Sequence, residues 1–334
     1  MAALAAAARA SPLAAPSRRA RHRRDHIRAR ASPPTSPSVV DDADADAVVV
    51  ADPFVVFEND DVLCVHKPAG ASFHGDDLAT RRPGVLARIR QLQASGTLRG
   101  SDYDGPLHSV HRLDKVTSGA LLFAKRPDVA AALGAAFASR RVHKYYVALS
   151  ARRPSKKMGT VRGVMARSRR GTWKLTRDER RGGGGAAAAA ETRFVGRGIV
   201  GHGESKRPLR LIVFRPLTGK THQLRVAAKS LGSPVLGDAA YAGKDAAASE
   251  DRAYLHAAAL RFALNGEVVA VTCKPTEGAE WRSPADGGGG GGDVGGFDLA
   301  WRELGFDALL DDPSGVWFEG HDALRSSGAE LLEG

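Results

Sequence analysis

Cysteine is scarce: the chain has two in 334 residues, Cys64 and Cys273. That excludes a disulfide framework and any zinc site built on cysteine alone, and it suits a reducing compartment. No apolar run approaches the ~20 residues that a membrane-spanning helix needs, so no membrane association is expected. Acidic residues are in deficit, with 37 Asp and Glu against 49 Lys and Arg, a net charge of +12 and a pI near 10.0. Such a balance favours a polyanionic partner such as nucleic acid. No internal repeat is evident. What is present is ordinary: a hydrophobic fraction of 43% and enough length to bury a substantial core, in one large domain or two small ones.

The positive charge is unevenly spread. Residues 1 to 40 carry eight Arg and one acid, Asp25, for a net +7, which leaves +5 on everything that follows. The opening stretch MAALAAAARASPLAAPSRRARHRR is rich in Ala, Arg, Ser and Pro. It has the composition of an organellar transit peptide and lacks the continuous apolar core of a secretory signal. The competing reading is a disordered basic tail that touches nucleic acid. We expect residues 1–50 to be a disordered targeting segment for the chloroplast, with the mitochondrion as alternative, and to stand outside the fold.

Beyond Pro53 the pattern predicts short strands and few helices. Val55–Phe57 and Val62–Val65 read as strands around the acidic turn Glu58-Asn59-Asp60-Asp61, and Lys67-Pro68-Ala69-Gly70 then forces a loop. Gly84–Leu98 has helical spacing, with Val85, Ile89 and Leu92 on one side, and Val129–Phe137 is an Ala-rich helix. Ala120–Ala124 reads as a core strand preceded by a Thr117-Ser118-Gly119 turn. Lys144–Leu149 and Leu209–Phe214 are further strands, and the tract GGGGAAAAA at 182–190 is a loop insertion. Gln223–Ser230 is a helix closed by Gly232. Leu255–Phe262 and Val268–Lys274 form a hairpin about Asn265-Gly266. After a Gly-rich spacer at 286–296, Phe297, Trp301 and Leu304 mark one face of a short docking helix. The whole predicts an α+β fold on a mostly antiparallel, mixed sheet flanked by helices and loops.

Three stretches could carry chemistry. HRLDKVTSGALLFAK (111–125) sets Arg112 and Asp114 at the mouth of a core strand, where an Asp can be a surface residue, a turn cap or a reactive group. HKYYVAL (143–149) holds adjacent tyrosines, of which a strand can aim only one into a given pocket. RPLTGKTHQLRVAAKSLGSPVLGDAAY (215–241) has a Gly turn and then a helix with Arg225, a position that is ordinarily a solvated charge. Gly219-Lys220-Thr221 imitates the end of a phosphate-binding loop, yet Phe214 occupies the place of the required Gly. His108 and His111 stand near Asp114, but their spacing before a strand gives no single ligating face, and no metal site is expected.

Together, LCVHKPAG, HRLDKVTSGALLFAK, TGKTHQLRVAAKSLGSPVLGDAAY and LHAAALRF resemble the RluA family of RNA pseudouridine synthases, over residues 54 to about 275. The resemblance implies a pseudouridine synthase catalytic fold at 51–285, with 286–334 a Gly-rich spacer and helical tail. It implies a catalytic role for Asp114, with Tyr146 as the family's tyrosine and Arg225 as the arginine that pairs with the carboxylate. His66 and Ala227 depart from the family's commoner Asn and His, which bears on substrate fit rather than on the three catalytic positions.

That chemistry suits these residue types. Converting uridine to pseudouridine breaks N1–C1′, turns the uracil and joins C5 to C1′, with nothing added or lost, so neither cofactor nor metal is called for. A carboxylate can attack C1′, add to C6 or take the 2′ proton, and a guanidinium that is always charged keeps an enclosed carboxylate ionised. Tyr146 could serve as base or relay for the C5 proton and could stack on the uracil. The target must leave its helix or loop, and Arg112 could fill the vacated space or hold a phosphate. Lys67, Lys115, Lys144 and Lys220 are expected to bind backbone phosphates. The expected partner is rRNA or tRNA, for a chain acting as a monomer without a protein partner. The competing class is a catalytically silent RNA-binding protein or RNA chaperone on the same scaffold.

Overall fold

The pattern of short apolar strands is realised as one large sheet. The computed structural model describes residues 50–73, 75, 83–176, 189–201, 207–281 and 296–304, all in the unit that begins at Ala43. The expected targeting segment through residue 49, the tract at 182–188 and the Gly spacer at 286–295 lie outside the described residues. In chain order the strands are β1 (Phe54–Glu58), β2 (Val62–Lys67), β3 (His108–Ser109), β4 (Ser118–Ala124), β5 (His143–Ser150), β6 (Met158–Arg167), β7 (Trp173–Thr176), β8 (Ala189–Val200), β9 (Pro208–Pro216), β10 (Leu255–Leu264) and β11 (Glu267–Thr272). The helices are α1 (Val85–Ala94), α2 (Pro127–Ala138), α3 (Gln223–Ser230), α4 (Lys244–Ala248) and α5 (Gly296–Glu303). Across the sheet the order is β1-β2-β4-β10-β5-β9-β8-β6-β7, with β3 also on β4 and β11 on β10. Among the described strands the pairings are antiparallel except β4 with β10. The α+β expectation holds.

Both faces of the central strands are covered, which is why they read as continuous apolar runs. Along β5 the alternation sends Tyr146 and Ala148 into one core, with Leu121, Phe123 and Phe214, while Tyr145, Val147 and Leu149 enter another, with Leu211, Tyr254 and Trp281. The adjacent tyrosines therefore face opposite sides, as the strand period demands. Helix α5 belongs to the second core: Phe297 and Trp301 are buried, and Trp281 packs 4.6 Å from Phe297 between ring centres. Burying each such aromatic contributes roughly 1.5–3 kcal/mol. The short docking helix expected in the tail thus packs by its Phe297 and Trp301 face into this core.

Three boundaries differ from expectation for local reasons. Ser118 and Gly119, expected in a turn, open β4, where they pair with His256 and Ala257 of β10. Gly119 has φ 106, and a Cβ there would lie 2.3 Å from the Ala257 carbonyl oxygen, so close approach of two backbones demands glycine. Ala189 and Ala190, expected in the loop insertion, pair with Val164 and Gly163 as the start of β8. Helix α2 starts at Pro127, because proline's fixed φ and missing N–H suit a first helical turn.

Candidate active site

Asp114 sits in the connection between β3 and β4, and that connection is fastened from below. The Thr117 amide donates to the Asp114 carbonyl at 3.1 Å, and the Gly70 amide donates to the Lys115 carbonyl at 2.8 Å. Lys67, at the end of β2, donates from Nζ to the same Lys115 carbonyl at 3.2 Å and to the carbonyls of Pro68 and Ala71 at 2.8 and 2.9 Å. Expected on the cleft as a phosphate ligand, Lys67 is instead wholly buried. Burial, together with the neighbouring Arg252 charge, lowers its pKa to about 7 against the opposing pull of Asp114 and Glu277. The apolar β2 carries its ammonium into the interior, where three carbonyls replace water. Lys115 is exposed and does not line the cavity.

The Asp114 carboxylate is about one-fifth exposed and faces a cavity of about 520 Å³, within the roughly 300–1,000 Å³ range of small-ligand pockets. Arg112, Tyr146, Lys144, Lys220, His222 and Arg225 share its lining. Of the eight residues that the sequence nominated, six meet here, and Lys67 and Lys115 do not.

Arg225 is where the structure adds most. Its Nη1 lies 3.8 Å from Asp114 Oδ2, an ion-pair distance too long for a hydrogen bond. The tight partner is Asp238, whose two carboxylate oxygens accept from Nε and Nη2 at 2.7 Å each. Asp238 is itself buried and also accepts from the Ala240 amide at 3.1 Å. Burial works against the Arg225 charge, but the Asp238 hydrogen bonds and the charges of Asp238 and Asp114 outweigh it and raise the pKa. The guanidinium is thus locked by one acid while its remaining nitrogen faces the other. Sequence reasoning missed Asp238; the available signal was its place in LGDAAY, within the same motif as Arg225.

His222 lines the cavity as well, and Tyr241 packs behind it and Arg225. The Tyr241 ring lies 4.9 Å from the Arg225 guanidinium, and its hydroxyl meets His222 Nδ1 at 2.9 Å and accepts from the Trp173 amide at 2.9 Å. His222 has φ 58, the left-handed conformation that turns the chain into α3. Burial and then the Arg225 charge lower its pKa, with Asp114 and Asp238 pulling the other way. The Gly219-Lys220-Thr221 run is a turn cinched by buried Gln223, whose Oε1 accepts from the Thr218 hydroxyl at 2.7 Å and the Lys220 amide at 2.9 Å.

Also in the lining, Tyr146 has its hydroxyl pushed well above an ordinary phenol pKa by burial and the nearby Asp114 charge. Lys144 reaches the cavity from β5, and burial lowers its pKa to about 8. His111 stacks on Phe137 at 4.9 Å between ring centres and accepts the Leu122 amide at 2.9 Å, a bond that needs a neutral ring. Burial and the Lys144 charge hold its pKa down to about 3.

A second polar group lies deeper. His66, His256 and Cys273 bring their possible ligand atoms within 4.8 Å of one another, a combination that sequence spacing did not suggest. His256 Nδ1 meets the Ser118 hydroxyl at 2.8 Å and its Nε2 meets the Cys273 carbonyl at 2.8 Å, so neither nitrogen is open to a metal. Burial, then the charges of Arg252, Lys67 and Arg99, holds the His66 pKa down to about 3.

Comparison with known proteins converges on one family. Residues 61–230 match the family described as RNA pseudouridylate synthase. The chain is 40% identical over 233 residues to a Haemophilus influenzae protein described as an uncharacterized RNA pseudouridine synthase, covering 69% of this chain and 91% of that one. It is 33% identical over 215 residues to the dual-specificity RNA pseudouridine synthase RluA of Vibrio cholerae, covering 62% and 76%. It is also 31% identical over 208 residues to the ribosomal large subunit pseudouridine synthase C of Rickettsia prowazekii, covering 61% of each chain. Among solved structures, human RNA pseudouridylate synthase domain containing 4 shares the fold, with a TM-score of 0.50 at 24% identity over 66% of this chain and 88% of that one.

Proposed function

We propose, from the premise that this chain belongs to the RNA pseudouridylate synthase family, that it isomerises particular uridines in structured RNA, ribosomal or transfer, with Asp114 as the reactive carboxylate. The observation that carries this reading is the Asp114 carboxylate opening on a cavity opposite an arginine locked by a second acid. The names of the relatives support a ribosomal substrate, and the basic side chains around the cavity suit an RNA backbone.

The reaction follows from those residues. A uridine leaves its stack and enters the cavity, and Arg112 and Lys220 hold the flanking phosphates. Asp114 acts on the ribose or on the uracil ring as N1–C1′ breaks. Arg225 faces the carboxylate, and Asp238 keeps the guanidinium from following the moving charge. The uracil turns within the cavity and C5 joins C1′. Loss of the C5 proton then restores aromaticity. The Tyr146 hydroxyl stays protonated, so it cannot act as a standing phenolate base. It can relay the C5 proton only by passing its own on at the same time, while its ring bounds the uracil.

The test is pseudouridine mapping in candidate RNAs incubated with the purified protein. Formation by the parent and loss in Asp114→Asn support the enzyme. RNA binding without isomerisation by the parent would favour the silent RNA-binding alternative. The chain is further proposed to work as a monomer, which sedimentation with and without RNA checks. Residues 1–50 are proposed to direct it to the chloroplast, or alternatively the mitochondrion. A fluorescent reporter fused to that segment and left in the cytosol would overturn this.

A further inference from the structure

Outside the cavity the most strongly charged described segment is the hairpin of β6 and β7 with the chain leading into it. Residues 151–176 contain nine Lys or Arg and no Asp or Glu, although the chain beyond residue 40 is only mildly basic overall. Arg152, Arg153, Lys156, Lys157, Arg169 and Lys174 are exposed and pair with no carboxylate among the described residues. Arg167, also exposed, lies opposite Trp173 in the hairpin register, its guanidinium 5.5 Å from the half-buried indole. Arg162 pairs with Glu191 of β8 at 2.7 Å, whereas the other exposed charges gathered here repel one another without such relief, and folding alone gives little reason to collect them.

The underside explains where this charge points. Met165, Val226 of α3 and Tyr241 form a small buried cluster against which Trp173 and Leu175 pack. The Trp173 amide donates to the Tyr241 hydroxyl, which meets His222 on the cavity wall. The hairpin is therefore seated by its apolar side on the helix that carries Arg225, with its basic side chains turned to solvent beside the cleft.

We propose that this hairpin is a second RNA-docking surface, which grips the phosphates of the segment flanking the target nucleotide without reading its sequence. The proposal rests on the reading that the chain acts on RNA, and it extends the binding surface beyond the cavity. Exposed Lys and Arg on a rigid two-stranded support suit backbone contact, and the Arg167–Trp173 pair stiffens the tip of the ribbon.

The test measures binding of a long structured RNA, and of a short stem-loop sized for the cavity alone, across a salt series in an Asp114→Asn background. A triple variant, Arg167→Ala with Arg169→Ala and Lys174→Ala, is expected to weaken the long RNA about tenfold and to lower the salt slope by about 2–3, the removal of some three phosphate contacts. The stem-loop should bind as before. Lys156→Ala with Lys157→Ala, ahead of β6 and outside the hairpin register, should reproduce the effect at a smaller size. Unchanged long-RNA affinity and slope in both variants would overturn the proposal. So would anionic vesicles that the parent binds and the triple variant releases, with RNA affinity unaltered. If the parent forms no pseudouridine but both variants still lose long-RNA affinity, the docking surface stands and the enzymatic reading falls.

Discussion

Two buried polar groups lie at the two ends of the segment from Asp114 to Ser118, and they treat charge in opposite ways. At the cavity, the Arg225 guanidinium stands between two acids, Asp238 bonded to it at 2.7 Å and Asp114 held at 3.8 Å. Four residues on, Ser118 joins His256, with His66 and Cys273 beside it, and that group is neutral. Burial opposes charge in both places; only the first supplies counter-charge, and the surplus of positive groups around the second drives protons away. The reactive end is the end at which an ion can persist out of water. Four experiments break or sharpen this contrast.

The largest effect is expected from Asp114→Asn, which keeps shape and removes the charge. Isomerisation should fall at least about a thousandfold while RNA affinity stays within about tenfold, because phosphate contacts supply most of the binding energy. Single-turnover pseudouridine formation and filter binding on the same preparation check both halves.

Next comes Asp238→Asn. Breaking a buried pair by removing one partner costs about 3–5 kcal/mol, so the midpoint of urea unfolding should drop clearly. Turnover at saturating RNA should also fall, because Arg225 is then free to turn toward Asp114. Asp238→Glu should recover more of the turnover than Asn does. Loss of stability with turnover intact would reduce Asp238 to a purely structural role.

The neutral group is tested by acid. His66 has its pKa lowered to about 3, and that of His256 is well below the usual value, each chiefly by burial. The unfolded chain binds protons at these rings near pH 6.5 and the native state does not. Their contribution is therefore complete above pH 6.5 and declines as pH falls, by about 1.4 kcal/mol per pH unit for each ring. For His66 the decline runs down to about pH 3. Urea unfolding at pH 6.5 and 5.0 should show this, and His66→Leu should remove one ring's share of the slope. Because the His66 nitrogens have no hydrogen-bond partner among the described residues, that variant should cost no more than about 1 kcal/mol at pH 7.5.

The smallest effect belongs to Lys144. Burial lowers its pKa to about 8, so a phosphate contact by this ammonium is present below pH 8 and fades above it. RNA affinity should weaken by roughly two- to fivefold between pH 7 and 9, the weight of one phosphate contact. Lys144→Arg should flatten the profile, since a guanidinium does not titrate in that range.

Much of the fold was legible because strand and helix periods are local. The continuous apolar run of β5, the Val85, Ile89 and Leu92 spacing of α1 and the Asn265-Gly266 turn each report their surroundings within a few residues. Asp114, Tyr146 and Arg225 were legible through motifs, and all three line one cavity. What stayed hidden depended on partners far along the chain or on a neighbouring backbone. No local pattern says that Lys67 ends against the Lys115 carbonyl, that Gly119 lies under Ala257, or that His66 meets His256. By itself the sequence determined which segments must be buried and which residue types were available for chemistry, because hydrophobic periodicity and motif spacing are properties of adjacent residues. Only the tertiary structure decided which buried charges have counter-charges. A carboxylate or an ammonium takes its character from what lies within a few ångströms, and in this protein those neighbours come from loops and a helix far apart in the chain.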